Sequence, residues 1–160
     1  WGGRLIEGLA ARLPPVRTPV TGLKAATATA ALARGRTCYD HLAGRIGVAI
    51  TTAMIDGGLL DTAGGFAVSD KGFAWFDEVL GVDTTLWGRA RRPVARECLD
   101  WTERRSHLAG LAAAGLCRRF LDQDWLRRIG SGRAVRLTPS GRTTLRETLG
   151  IDPAAAGLDS

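Results

Sequence analysis

The side chains in this sequence whose types suit metal binding or redox chemistry are Cys38, His41, Cys98, His107 and Cys117. Cys38 and His41 stand three apart, so on a helix they would share a face and offer a thiolate and an imidazole to zinc or another borderline ion. Cys98, His107 and Cys117 would complete such a site if the fold brought them near. Cys98 has a second candidate role as a redox thiol beside Arg96, because a neighbouring cation lowers a thiol pKa. The histidines also have a plainer reading. They occupy equivalent places in an internal duplication, and a residue present in both copies of one unit is most simply a packing or hydrogen-bonding residue. On that reading no metal ligand is favoured and no cofactor is needed.

The duplication is the feature that must position these residues. His41-Leu42-Ala43-Gly44 returns as His107-Leu108-Ala109-Gly110, sixty-six residues later. The same offset carries Leu42, Ile46, Ile50, Met54 and Ile55 onto Leu108, Ala112, Leu116, Phe120 and Leu121, the spacing of one helix face. Each copy then has a glycine-containing turn, a short alternating stretch, and a hydroxyl residue shortly before a glycine, at Ser69 and Gly72 and at Thr138 and Gly141. The copies close on Leu80-Gly81-Val82-Asp83 and Leu149-Gly150-Ile151-Asp152, now at an offset of sixty-nine, so the second hairpin is three residues longer. Helix, hairpin, helix is the core of a winged-helix unit. The expected fold is therefore α+β, mostly helical, with tandem winged-helix-like units behind a dimerisation helix.

Three stretches follow from this pattern. Residues 1–20 hold the end of the dimerisation helix, with Trp1, Leu5, Ile6, Leu9 and Leu13 at helical spacing, and a linker opened by Pro14-Pro15. Residues 21–85 hold an Ala-rich helix from Leu23 to Ala33, interrupted at Gly35, and the first unit. Residues 86–160 hold a basic connector, the second unit and an Ala-rich tail expected to be loose. The chain begins at Trp1, inside an amphipathic pattern, which suggests a fragment of something longer.

Composition narrows the function. The 160 residues are 45% apolar, too many for a disordered chain, and the net charge is +6 with a pI near 10.2. The basic residues are almost all arginine, which suits nucleic acid as a partner. Three cysteines without paired spacing do not make a disulfide framework and fit a reducing, cytoplasmic setting. No apolar run is long enough to span a bilayer. The two hairpins differ in charge. The first turns through Asp61-Thr62-Ala63-Gly64-Gly65 and offers an acid and no base, whereas the second carries Arg127, Arg128, Arg133 and Arg136 as candidate contacts to DNA phosphates.

Catalytic groupings are lacking: Ser106 and His107 are only sequence neighbours, and no glycine-rich phosphate loop follows a strand. An enzyme is not expected. A small-molecule effector pocket is the better candidate, built from Tyr39, His41, Trp75, Trp87, Trp101 and His107. The alternative is a small-molecule or metal-binding sensor domain with no direct DNA contact.

Two phrases point to a family. Arg36-Thr37-Cys38-Tyr39-Asp40-His41-Leu42-Ala43-Gly44, and the run from Cys98 through Trp101 to His107-Leu108-Ala109-Gly110, resemble the C-terminal extension of long bacterial transcription regulators of the ArsR type. The resemblance covers about Leu23 to Asp152. It implies a homodimeric, cytoplasmic regulator that binds double-stranded DNA through a reader upstream of Trp1, leaving this chain as the dimerising and effector-sensing part. The paired-cysteine motif of the metal-sensing members is absent.

Overall fold

The structure, a computed structural model, describes residues 22–159. The expected dimerisation helix and most of its linker lie outside the described residues. Helix α1 (Leu23–Arg34) is made of alanine and other good helix formers and ends where Gly35 turns extended. A hairpin of β1 (Arg36–Cys38) and β2 (His41–Ala43) follows, then α2 (Gly44–Asp56). A second hairpin of β3 (Leu60–Asp61) and β4 (Ala67–Val68) leads into α3 (Asp70–Ala74), which continues as a wider π-helical turn at Trp75–Val79. A short 3-10 turn (Trp87–Arg89) precedes β5 (Arg96–Leu99), β6 (Ser106–Ala109), α4 (Leu111–Asp122), β7 (Leu126–Arg128), β8 (Val135–Leu137) and α5 (Pro139–Leu149). The chain is thus α+β, with helices joined by small antiparallel hairpins.

The order helix, hairpin, helix occurs twice, as α2 to α3 and as α4 to α5. Each is preceded by a further hairpin that the sequence pattern did not reveal. Leu42 and Leu108, which fit the helical spacing, lie on strands, and the helices start at Gly44 and Leu111. Residues 86–104, expected as a connector, contain β5.

The phrase His-Leu-Ala-Gly now has a physical reading. Leu42 and Leu108 enter the core, and Ala43 and Ala109 are fully buried. Gly44 and Gly110 turn the chain into the helix at φ +75° and +99°, where a side chain would be strained. A Cβ at Gly44 would also come within 2.7 Å of the Ala33 carbonyl oxygen, and one at Gly110 equally close to that of Pro93.

One hydrophobic cluster takes residues from both copies. Ile46, Ile50 and Met54 of α2 and Ala112, Leu116 and Phe120 of α4 share it with Leu60, Phe76, Trp87, Leu126, Leu137 and Leu145, and Val68 packs against its edge. The contacts are exchanged between copies: β6 lies against α2 and β2 against α4. The hydroxyl of Thr51 on α2 accepts from the Leu108 amide of β6 at 2.8 Å. The two later helices start alike, with Ser69 and Thr138 each accepting from the amide three residues on (Gly72 and Gly141) at 3.0 Å. The tail is packed rather than loose. Pro153 is fully buried, and Ile151 and Leu158 belong to the core.

A buried cysteine and histidine cluster between two hairpins

Cys38 and His41 do not share a helix face; they are cross-strand partners in the hairpin β1–β2. Cys98 and His107 are cross-strand partners in β5–β6. Directly opposed residues project from the same face of a hairpin, so each hairpin offers one thiol and one imidazole side by side. The first closes in two residues, with Tyr39 at φ +63° giving the turn a sense that matches strand twist. The second closes through a longer loop folded about Asp100. Its Oδ1 accepts from the Thr102 amide at 2.8 Å, the Thr102 hydroxyl at 2.6 Å and the Glu103 amide at 3.0 Å.

The two hairpins face one another. The ligating atoms of Cys38, His41, Cys98 and His107 all lie within 4.8 Å of one another, and all four residues are buried. His41 Nε2 and His107 Nε2 are 3.1 Å apart, and the two sulfurs are 4.0 Å apart. The cysteines are not joined in a disulfide, which would bring the sulfurs to about 2.05 Å.

A carboxylate stands behind each imidazole. His41 Nδ1 is 3.4 Å from Asp40 Oδ1, and His107 Nδ1 is 3.6 Å from Asp100 Oδ2. The His107 nitrogen is buried with no hydrogen-bond partner within range. Asp40 is gripped by Arg92, whose guanidinium donates to its two oxygens at 2.5 and 3.0 Å. Asp100 Oδ2 accepts from Arg36 at 2.9 Å and from the Gly44 amide at 2.7 Å. Arg36 and Asp100 are both fully buried, and the guanidinium lies 4.8 Å over the Trp101 ring.

Burial opposes ionisation of Asp100, but the donors from Thr102, Glu103 and Gly44 and the charge of Arg36 outweigh it and hold the carboxyl at about 2. Asp40 is likewise lowered despite partial burial, through Arg92 and then His41. The Cys98 thiol is lowered by its hydrogen bond with Cys38 and, against the opposing effect of burial, by the two imidazoles. The arrangement therefore favours a thiolate beside two histidines whose Nδ1 atoms face carboxylates at 3.4 and 3.6 Å. The two Nε2 atoms face the same space, which suits a shared proton or a metal ion.

The other candidates are distributed as follows. Cys117 is outside the cluster, on α4 at the place equivalent to Thr51, with burial pushing its thiol up to about 11. Of the aromatic residues considered for an effector pocket, Trp75 and Trp87 lie in the core, Trp101 stacks under Arg36, and Tyr39 is 69% exposed at a hairpin turn. A cleft of about 630 Å³ lies elsewhere, between α2, the Glu103 loop and the Leu149–Ile151 segment, and is lined by none of these six residues. Arg127, Arg128, Arg133 and Arg136 are all exposed on the β7–β8 hairpin. Arg127 and Arg136 stand directly opposite one another, and Arg127 is paired with Asp124.

Asp40, Asp100, Arg36 and Arg92 were missed by sequence reasoning. A signal existed: Arg36-x-Cys38-x-Asp40 recurs as Arg96-x-Cys98-x-Asp100, at an offset of sixty rather than sixty-six. The longer second loop shifts the frame by six residues and hides the match.

No protein-family model matches the chain, and no solved structure does. The chain is similar to a protein of Bacillus subtilis (strain 168) named "Uncharacterized HTH-type transcriptional regulator YdfF", with 38% identity over 117 residues. The match covers 72% of this chain and 51% of that protein, so the chain spans about half the length of the curated relative it matches.

Proposed function

We propose that this chain is the dimerising, effector-responsive part of a DNA-binding transcription regulator. The observation that carries this reading is the 38% identity to a protein named as an HTH-type transcriptional regulator, over a stretch equal to half of that protein. The same similarity speaks for a regulator over an enzyme. The finer assignment to the long ArsR type rests on the two phrases around Cys38 and Cys98, and it brings with it a homodimer, a cytoplasmic setting and tandem winged-helix-like units meeting near residue 85. The repeated helix, hairpin, helix order is compatible with those units. None of the described helices is long and apolar enough to cross a membrane. Helix α1 is exposed from Leu23 to Ala30 and made mostly of small residues, which suits close approach by a second helix.

For DNA, the β7–β8 hairpin is the favoured contact. Like charges directly opposite on a hairpin repel, so Arg127 and Arg136 gain when an anion lies over them. The test uses the regulator with its reader attached. Replacing Arg127, Arg128, Arg133 and Arg136 by Ala should weaken binding to all sequences alike and flatten the salt dependence by up to about 0.9 log unit per lost contact. Asp61→Ala should change it much less. An unchanged salt slope in the fourfold variant would leave the hairpin a solvated face. The second reading, a sensor without direct DNA contact, is favoured by the cysteine and histidine cluster, whose chemistry stands whether or not the chain touches DNA.

A further inference from the structure

We propose that Cys38, His41, Cys98 and His107 form a closed tetrahedral site for one divalent cation of the zinc class, each hairpin giving one sulfur and one nitrogen, so that the ion clamps the two hairpins together. This inference does not depend on the regulator reading.

Three observations carry it. The first is geometric. Zinc bonds of about 2.3 Å to sulfur and 2.0–2.1 Å to nitrogen give a tetrahedron with edges of about 3.8 Å between sulfurs and about 3.3 Å between nitrogens. The sulfurs here are 4.0 Å apart and the facing nitrogens 3.1 Å, both near those edges, and all four atoms lie within 4.8 Å of one another, so small side-chain adjustments would close them on one ion. Two cross-strand pairs produce it without any ligand leaving its place in a strand.

The second is the orientation of the imidazoles. A metal-bound histidine usually turns its other ring nitrogen to a carboxylate, carbonyl or water, which fixes the tautomer and raises ligand basicity. His41 does so here, to Asp40 at 3.4 Å, and His107 Nδ1, otherwise unpartnered, faces Asp100 at 3.6 Å; each carboxylate is itself gripped by an arginine. The two Nε2 atoms meet at 3.1 Å in a buried space, where they share one hydrogen bond whose direction depends on the tautomer and where a cation between them would be bound by both.

The third is charge. The two carboxylates are already balanced by Arg36 and Arg92. What remains is two imidazoles, which bind a metal through a nitrogen lone pair, and two cysteines, which bind it as thiolates with loss of any proton they still hold. A divalent ion neutralises those two charges, and a monovalent or trivalent one would leave a net charge in a buried site. Two thiolates with two imidazoles in tetrahedral array select zinc over magnesium or calcium, which take oxygen, and the full set of four leaves no open position for substrate.

The test uses the 160-residue chain stripped by chelator and then titrated with Zn2+ or Co2+. We expect one ion per chain and, with Co2+, a tetrahedral visible spectrum together with thiolate charge transfer. Cys38→Ser and Cys98→Ser should each lose about half of the charge-transfer intensity, and the double variant all of it, as expected of two thiolate ligands. Cys117→Ala should leave it unchanged. Asp40→Asn, at the half-exposed edge, should lower zinc affinity about 10- to 100-fold while keeping the tetrahedral spectrum. Should a ligand variant fail to fold, the unsubstituted and Cys117→Ala chains still decide: refolding or binding with one equivalent of zinc supports the site. Uptake without thiolate charge transfer, loss of binding in Cys117→Ala, or a stripped chain that neither binds zinc when folded nor refolds when it is returned would overturn it.

Discussion

The hairpins β1–β2 and β5–β6 present the same chemistry, one cysteine and one histidine each, to a shared buried space. The hairpins β3–β4 and β7–β8 present opposite chemistry to solvent: Asp61 and a glycine-rich turn in one, four arginines in the other. The two pairs occupy matching places in the duplicated chain, so local folding does not explain the contrast. Where the copies meet, a change in one must fit the other. Where they face water, each can differ, and the β7–β8 hairpin has become basic while its counterpart has not. Likeness marks the common interior, and difference marks the surface open to a partner.

The comparison is broken most severely at Asp100. Its partner Arg36 is fully buried, and removing one member of a buried ion pair costs about 3–5 kcal/mol. Asp100→Asn should therefore lower the urea midpoint sharply. Asp40→Asn, whose pair with Arg92 is about one-third exposed on both sides, should cost about 1 kcal/mol or less. The pH dependence carries the same contrast. Asp100 is depressed in the folded state, so its contribution is present above the unfolded carboxyl pKa of about 3.9 and is lost as pH falls toward 2. The gap in stability between the wild type and Asp100→Asn should narrow across that window, and a gap that stays constant down to pH 2 would remove the ion pair from the account.

The shared core gives the next effect. Met54 and Phe120 are equivalent and both fully buried, and truncation to Ala should cost about 2–5 and 3–5 kcal/mol respectively. Because one cluster contains both, each variant should move a single cooperative transition followed by circular dichroism and by tryptophan fluorescence. Two separated transitions would mean that the copies fold as independent units. The smallest effect tests likeness in detail. Ser69→Ala and Thr138→Ala each remove one cap to a glycine amide and should cost about 1 kcal/mol apiece, so a large disparity would show that the two later helices are not held alike.

Much of this was legible beforehand. The helical spacing of Ile46, Ile50 and Met54 and of their counterparts located α2 and α4, and the alternating stretches located the two solvent-facing hairpins. The inner hairpins were not legible because their strands are three and four residues long and buried throughout β1 and β2, so no alternation of apolar and polar residues marks them. Cys38 and His41 stand three apart, a separation that a two-residue hairpin turn and a helical turn give alike. Only the strand pairing distinguishes them. The ion pairs of Asp40 with Arg92 and Asp100 with Arg36 join residues more than fifty positions apart, and no local pattern reports such contacts.

The central claim is that one ion joins the two hairpins through two sulfurs and two nitrogens. X-ray absorption at the zinc edge of the metal-loaded chain tests it most directly. The account predicts a four-coordinate shell of two sulfurs at about 2.3 Å and two imidazole nitrogens at about 2.0–2.1 Å, with one sulfur lost in Cys38→Ser and one in Cys98→Ser. A shell of oxygen and nitrogen alone, or one unaltered by either substitution, would contradict it.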